Sequence, residues 1–90
     1  MLKVRYSSQF KKDYKLIKKR GYDISLFENV LKLLVQNKPL TEKYLDHQLI
    51  GNYASYRECH ITPDWLLIYK VEEDILTLSL TRTGTHSDLF

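Results

Sequence analysis

The feature that most limits what this chain can fold into is a change of hydrophobic period along its length. Leu2, Val4 and Tyr6 alternate with Lys3 and Arg5, the pattern of a short half-buried strand. The spacing then lengthens: Phe10, Tyr14 and Ile17 fall on one face of a helix from Gln9 to Arg20, with Leu16 at its margin and Ser7 or Ser8 as its cap. Gly21 follows the last basic residue, as a left-handed C-terminal cap requires. A second helix is expected from Asp23 or Ser25, where Ser25 and Glu28 have capping-box spacing, and it carries the stripe Phe27, Val30, Leu31, Leu34 and Val35. The connection is short, so the two helices should pair as an antiparallel hairpin. Asn37 and Pro39 end the second helix, and the polar stretch through Lys43 to Gln48 and on to Gly51 reads as a loop. Strand-like segments return at Tyr53 to Ile61, Trp65 to Val71 and Ile75 to Thr81. Turns at Thr62-Pro63-Asp64 and Glu72-Glu73-Asp74 make them an antiparallel meander. The tail from Arg82 to Phe90 begins with a turn at Gly84. Two helices and about four strands, segregated along residues 1–90, describe one α+β domain with the hairpin on one sheet face.

Composition narrows the function classes. No apolar run approaches the roughly 20 residues of a membrane span. Charges at Lys3 and Arg5 stand where a signal peptide would need an apolar stretch, so a cytoplasmic protein without membrane contact is expected. One cysteine, Cys59, can neither close an internal disulfide nor build a thiolate metal cage. Residues 1–20 carry eight Lys/Arg against one Asp, a net +7, while the remainder carries six against ten, a net −4. Lys11, Lys12, Lys15, Lys18 and Lys19 lie largely outside the apolar stripe of the first helix, which makes that face a candidate contact for nucleic acid or for an acidic protein.

The three histidines, His47, His60 and His86, each fall in a loop or at a strand end, with Asp46, Asp64 and Arg82 as sequence neighbours. Strand alternation puts Tyr56, Glu58 and His60 on one side and Arg57, Cys59 and Ile61 on the other. A meander returns alternate strand ends to one place, so His60, Asp64, Arg82 and His86 should gather there. Proton acceptors, proton donors and a cation suited to phosphate are what internal cleavage of RNA needs. A 2′-hydroxyl is deprotonated, charge at phosphorus is stabilised and the 5′-oxygen is protonated. Histidine has a reference pKa of about 6.5 and serves in either proton role, while arginine presents a planar fork to phosphate oxygens. Metal ligation competes for the same residues, but Asp46 and His47 are adjacent and no HxH or HxxxH pair occurs, so neither a metal nor a cofactor is expected. Alternation makes Cys59 a core residue. Trp65 either stacks on a base or packs on the sheet, and Phe90 has the same two uses.

The segment DHQLIGNYASYRECHITPDWLLIYK, followed by LTRTGTHSDLF, resembles the YafQ branch of the RelE-like bacterial toxins, and the resemblance extends to the opening YSSQFKKDYKL. It implies a RelE-like β-α-α-β-β-β domain that enters the ribosomal A site of the 70S ribosome and cuts translated messenger RNA as a metal-independent endoribonuclease. Carried over, the family's site pattern falls on His47, His60, Asp64, Trp65, Arg82, His86 and Phe90. His86 and Asp64 are then the leading acid-base pair, and His47 and His60 further proton-transfer or phosphate groups. Arg82 stabilises the phosphate, while Trp65 and Phe90 shape the base-binding surface or hold the tail. The basic first helix would contact ribosomal RNA. A cognate antitoxin of the DinJ/RelB kind is also implied, with operator DNA bound only through that antitoxin. The rival in another class is a non-catalytic toxin of the ParE type that inhibits DNA gyrase, which has no need of histidines around the meander ends.

Overall fold

The computed structural model describes residues 1–90 as β1 (Lys3–Tyr6), α1 (Ser8–Lys19), α2 (Ile24–Val35), β2 (His47–Gln48), β3 (Arg57–Thr62), β4 (Trp65–Glu72), β5 (Thr77–Gly84) and α3 (His86–Leu89). The sheet order is β1-β5-β4-β3-β2, with β1 parallel to β5 and every other pair antiparallel. The α+β class and the helical hairpin are as the periodicity implies. The sheet has five strands rather than four, because His47 and Gln48 pair with Glu58 and Arg57. Two residues are too few to leave a period in the sequence. The tail likewise forms a four-residue helix, closed by a capping box between Thr85 and Asp88.

Local chemistry accounts for the helix ends. Ser7 Oγ accepts the Phe10 amide at 2.9 Å and donates to the Thr81 carbonyl at 2.7 Å, so one hydroxyl starts α1 and ties it to β5. At the other end the Gly21 and Tyr22 amides donate to Lys18 and Ile17, a closure that needs the positive φ of +83° at Gly21. Asp23, not Ser25, caps α2: its carboxylate accepts the Ser25 amide at 3.0 Å and the Ser25 hydroxyl at 2.6 Å. The Ser25–Glu28 box therefore does not form, since Ser25 already lies inside the first turn.

Phe10, Ile17, Phe27, Val30 and Leu34 of the hairpin pack on Cys59, Ile61, Trp65, Leu67, Tyr69, Leu78 and Leu80 of the sheet. The opposite face carries a smaller apolar cluster of Leu66, Ile68 and Leu89, flanked by Leu49, Tyr53 and Tyr56. β4 is thus buried on both sides, as a central strand should be. A bulge sets the face of one residue that matters below. Leu80 pairs with Tyr69 while Arg82 pairs with Ile68, which leaves Thr81 as the extra residue. Strict alternation after Leu78 and Leu80 would send Arg82 into the core. The bulge turns it to the Ile68 face and turns Thr83 inward in its place.

Candidate active site

On the face away from the hairpin, the register aligns one residue from each of four strands: His47 opposite Glu58, Glu58 opposite Ile68, and Ile68 opposite Arg82. At the usual strand spacing this row is ~14 Å long. The next row runs from His60 through Leu66 to Gly84, two residues before His86. Histidines and arginine from distant parts of the chain therefore share one face, over an apolar floor of Leu66 and Ile68 that Leu89 of α3 covers.

Glu58 organises one end. The residue is only 4% exposed, and Oε1 lies 3.4 Å from His47 Nε2 and 3.8 Å from His60 Nε2. Oε2 is the one buried side-chain oxygen without a hydrogen-bond partner. Each histidine also directs Nδ1 at a carbonyl, His47 at Leu45 (2.7 Å) and His60 at Pro63 (3.3 Å). A carbonyl only accepts, so in each contact Nδ1 is the donor, and Nε2 is left facing the Glu58 carboxylate. The ring centroids are 6.3 Å apart, so the two imidazoles and the carboxylate lie within one small volume.

Arg82 anchors the other end. Its Nε and Nη2 donate to Asp13 of α1 at 2.8 and 3.2 Å, and Asp13 also accepts the Thr83 amide at 3.2 Å. The Asp13 hydrogen bond, with smaller help from its charge and from Tyr53, holds the guanidinium pKa above its ordinary value. The fork is thus oriented by Asp13 through Nε and Nη2, with Nη1 outside that pair. α3 is fastened separately. Arg20 grips Asp88 at 2.7 and 3.1 Å, and Asp88 accepts the Thr85 amide at 2.9 Å. The Arg20 bond and then the Thr85 amide hold the Asp88 carboxyl well below the usual carboxylate range. A Cβ on Gly84 would lie 2.9 Å from Asp88 Oδ2, so this turn accepts no side chain. Beyond it His86 is exposed, with its ring 5.4 Å from that of Phe90, which in turn stands 6.3 Å from Tyr53.

Of the residues singled out by sequence, His47 and His60 are brought together, and Arg82 and His86 share their face. Asp64 is exposed in the turn after β3 and makes no ion pair with His60, whose ring goes to Pro63 and Glu58 instead. Trp65 needs correction as a base-stacking residue. It is 1% exposed, donates from Nε1 to Thr83 Oγ1 at 2.8 Å and meets Tyr22 edge-on at 5.3 Å, so its ring belongs to the core. Phe90 is 59% exposed. Lys11, Lys12, Lys15, Lys18 and Lys19 are all exposed on α1. Burial pushes the Cys59 thiol far up, which suits a core residue and not a nucleophile. The groups that sequence reasoning missed are the acids that hold the site. Asp13 had a signal, since it interrupts the stripe Phe10, Tyr14, Ile17 and is the only acid among the first 20 residues. Thr85 and Asp88 had capping-box spacing. Glu58 was on the right face by alternation but had no visible partner. No group of three or more His, Cys, Asp or Glu side chains is arranged to hold a metal ion, and no helix is long and apolar enough to cross a membrane.

Known proteins share this fold and much of this sequence. The chain is 43% identical over 88 residues to the mRNA interferase toxin YafQ of Escherichia coli (strain K12), covering 97% of this chain and 94% of that protein. A metal-bound toxin from Helicobacter pylori superposes with a TM-score of 0.94 at 43% identity, over 100% of both chains. The E. coli DinJ–YafQ complex contains a chain that matches at a TM-score of 0.91 and 42% identity, over 100% of this chain and 99% of that one. The profile of the family described as the YafQ bacterial toxin of type II toxin-antitoxin systems matches residues 2–90. With fold and sequence in agreement, this chain belongs to the YafQ toxin family.

Proposed function

We propose that this protein is an mRNA interferase, an endoribonuclease that cuts translated messenger RNA in the ribosomal A site without a metal ion. The observation that carries this reading is one sheet face holding His47 and His60 against a buried carboxylate, with Arg82 and His86 on the same face. In the reaction a base takes the proton of the 2′-hydroxyl and the 2′-oxygen attacks phosphorus. The bond to the 5′-oxygen then breaks as an acid protonates it, leaving a 2′,3′-cyclic phosphate. His86 and Asp64, both exposed, are the leading acid-base pair. His47 and His60, beside Glu58, are further proton carriers or phosphate ligands, and Arg82 steadies the extra charge at phosphorus. Phe90 borders the site and offers a ring to a base.

Two titratable groups and a cation complete this chemistry, so no metal is called upon. A transition-metal chelator that spares magnesium should leave cleavage intact, and its abolition would assign the reaction to a metal, as the metal-bound H. pylori relative makes worth testing. The exposed lysines of α1 are the contact to ribosomal RNA, and the ribosome supplies the orientation of the messenger that a small open site lacks. A DinJ-like antitoxin is the protein partner, as in the E. coli complex, and operator DNA is reached through it. The deciding experiment is primer extension on a defined messenger with and without 70S ribosomes. Cuts inside the A-site codon that require ribosomes uphold the proposal, and their absence with a folded protein overturns it.

A further inference from the structure

β2 consists of two residues, and the ring of His47 is about half exposed, so neither the strand nor side-chain packing is enough to fix this histidine. What fixes it lies on the other side of the sheet. Asp46 precedes His47 and therefore points to the helix-covered face, where its carboxylate accepts the Tyr69 hydroxyl at 2.5 Å and Arg57 Nε and Nη2 at 3.3 and 3.2 Å. Arg57 and Tyr69 are cross-strand partners on β3 and β4, so one carboxylate spans two paired strands. Tyr69 is buried, which makes its hydroxyl an immobile anchor. Packing does not share the task, since a cavity of about 320 Å³ opens beside Asp46, Arg57 and Tyr69, walled by Leu34, Pro39 and Leu40. On the near side Leu45 sits in the left-handed region at φ 48°, where its amide closes the Glu42–Tyr44 turn by donating to the Glu42 carbonyl at 3.0 Å. That conformation accompanies the contact of its carbonyl with His47 Nδ1 at 2.7 Å.

We propose that Asp46, gripped by Arg57 and Tyr69, is the positioning residue of His47: it holds the Leu45-Asp46-His47 segment so that Nδ1 meets the Leu45 carbonyl and Nε2 faces Glu58. This inference rests on the functional reading above for its kinetic consequence, but not for its structural one. Asp46 touches no substrate and acts only through its neighbour.

The test uses Asp46→Asn, which keeps the shape and loses the charge, and Tyr69→Phe, which removes one hydroxyl. In the free protein, nitrogen–proton spectra of the histidine rings should show the His47 signals shifted and its Nδ1 proton exchanging faster in both variants, while those of His86 stay in place. Unchanged His47 signals in variants that fold would overturn the proposal, as would equal movement of His86. On ribosomes the rate at saturation should fall roughly tenfold to a hundredfold with KM unchanged, the cost of misplacing a reacting group by about an ångström. In a His47→Ala background Asp46→Asn should cost nothing further, and additive losses would show that Asp46 acts elsewhere. If the wild-type protein cuts nothing on ribosomes, the functional reading falls while the ring spectra still decide this one. Should Asp46→Asn fail to fold, Tyr69→Phe carries the same measurements.

Discussion

The two faces of the sheet draw on the same strands but are held together differently. On the hairpin side, Cys59, Ile61, Leu67, Leu78 and Leu80 interlock with helix side chains, and position follows from non-directional burial. On the open side, directional contacts with acids hold the candidate groups: Glu58 stands beside His47 and His60, Asp13 grips Arg82, and the Asp88–Arg20 pair fastens α3 with His86. A packed face tolerates substitutions that keep volume and apolarity. A face held by directional bonds loses function when one partner changes, even where the fold survives.

The sharpest separation is chemical. A 2′-deoxynucleotide at the scissile position should bring cleavage below detection in primer extension, because the internal nucleophile is gone, and undiminished cutting would point to activated water. His86→Ala should lower the cleavage rate by about 10²–10⁴-fold while antitoxin binding persists. Full activity in that variant would remove His86 from the mechanism. A paired comparison then contrasts the faces. Trp65→Ala should cost about 3–5 kcal/mol in urea unfolding, since it empties the core beside Tyr22 and frees Thr83. Glu58→Gln should change stability by about 1 kcal/mol or less, because one of its oxygens is already unpaired, yet slow cleavage markedly. Equal losses of stability would erase the distinction between the faces. The Asp88 pair gives a smaller, pH-dependent effect. A carboxyl held low in the fold stabilises it fully above the unfolded-chain value of about 3.9, and that stability is lost as pH falls toward the folded value. Thermal melts should show Asp88→Asn less stable than wild type at pH 7, with the gap narrowing below about pH 4. The mildest change is on α1, where each of Lys11, Lys15 and Lys18 replaced by Ala should flatten the salt dependence of ribosome binding by about one log unit per log unit or less.

Much of the fold was legible because burial imposes a period. Phe10, Ile17, Phe27, Val30 and Leu34 declare two helices, and the meander turns stand where Pro63 and the Glu72–Asp74 acids announce them. The candidate site was legible as a set of residue types. His47, His60, Arg82 and His86 were chosen for their chemistry; the register aligns the first three on one face, and His86 comes to that side at the start of α3, whose Leu89 packs on Leu66 and Ile68. Trp65 shows where such reasoning stops, since a large ring reads equally well as a stacking platform or as core. Only the pocket formed by Tyr22 and Thr83 distinguishes the two.

The amino-acid order by itself determined the two helices, their caps at Ser7 and Gly21, the strands of the meander and the chemistry available, because each depends on neighbours within a few residues. Tertiary structure decided what depends on contacts far apart in the chain. The bulge at Thr81 turned Arg82 to the open face, and Asp13, 69 residues away, gave that arginine its direction. Two residues at positions 47 and 48 became a strand because β3 offered an edge and Asp46 found Arg57 and Tyr69. Hydrophobic burial repeats and so leaves a periodic trace in sequence. A directional bond between two distant side chains is made once and leaves none.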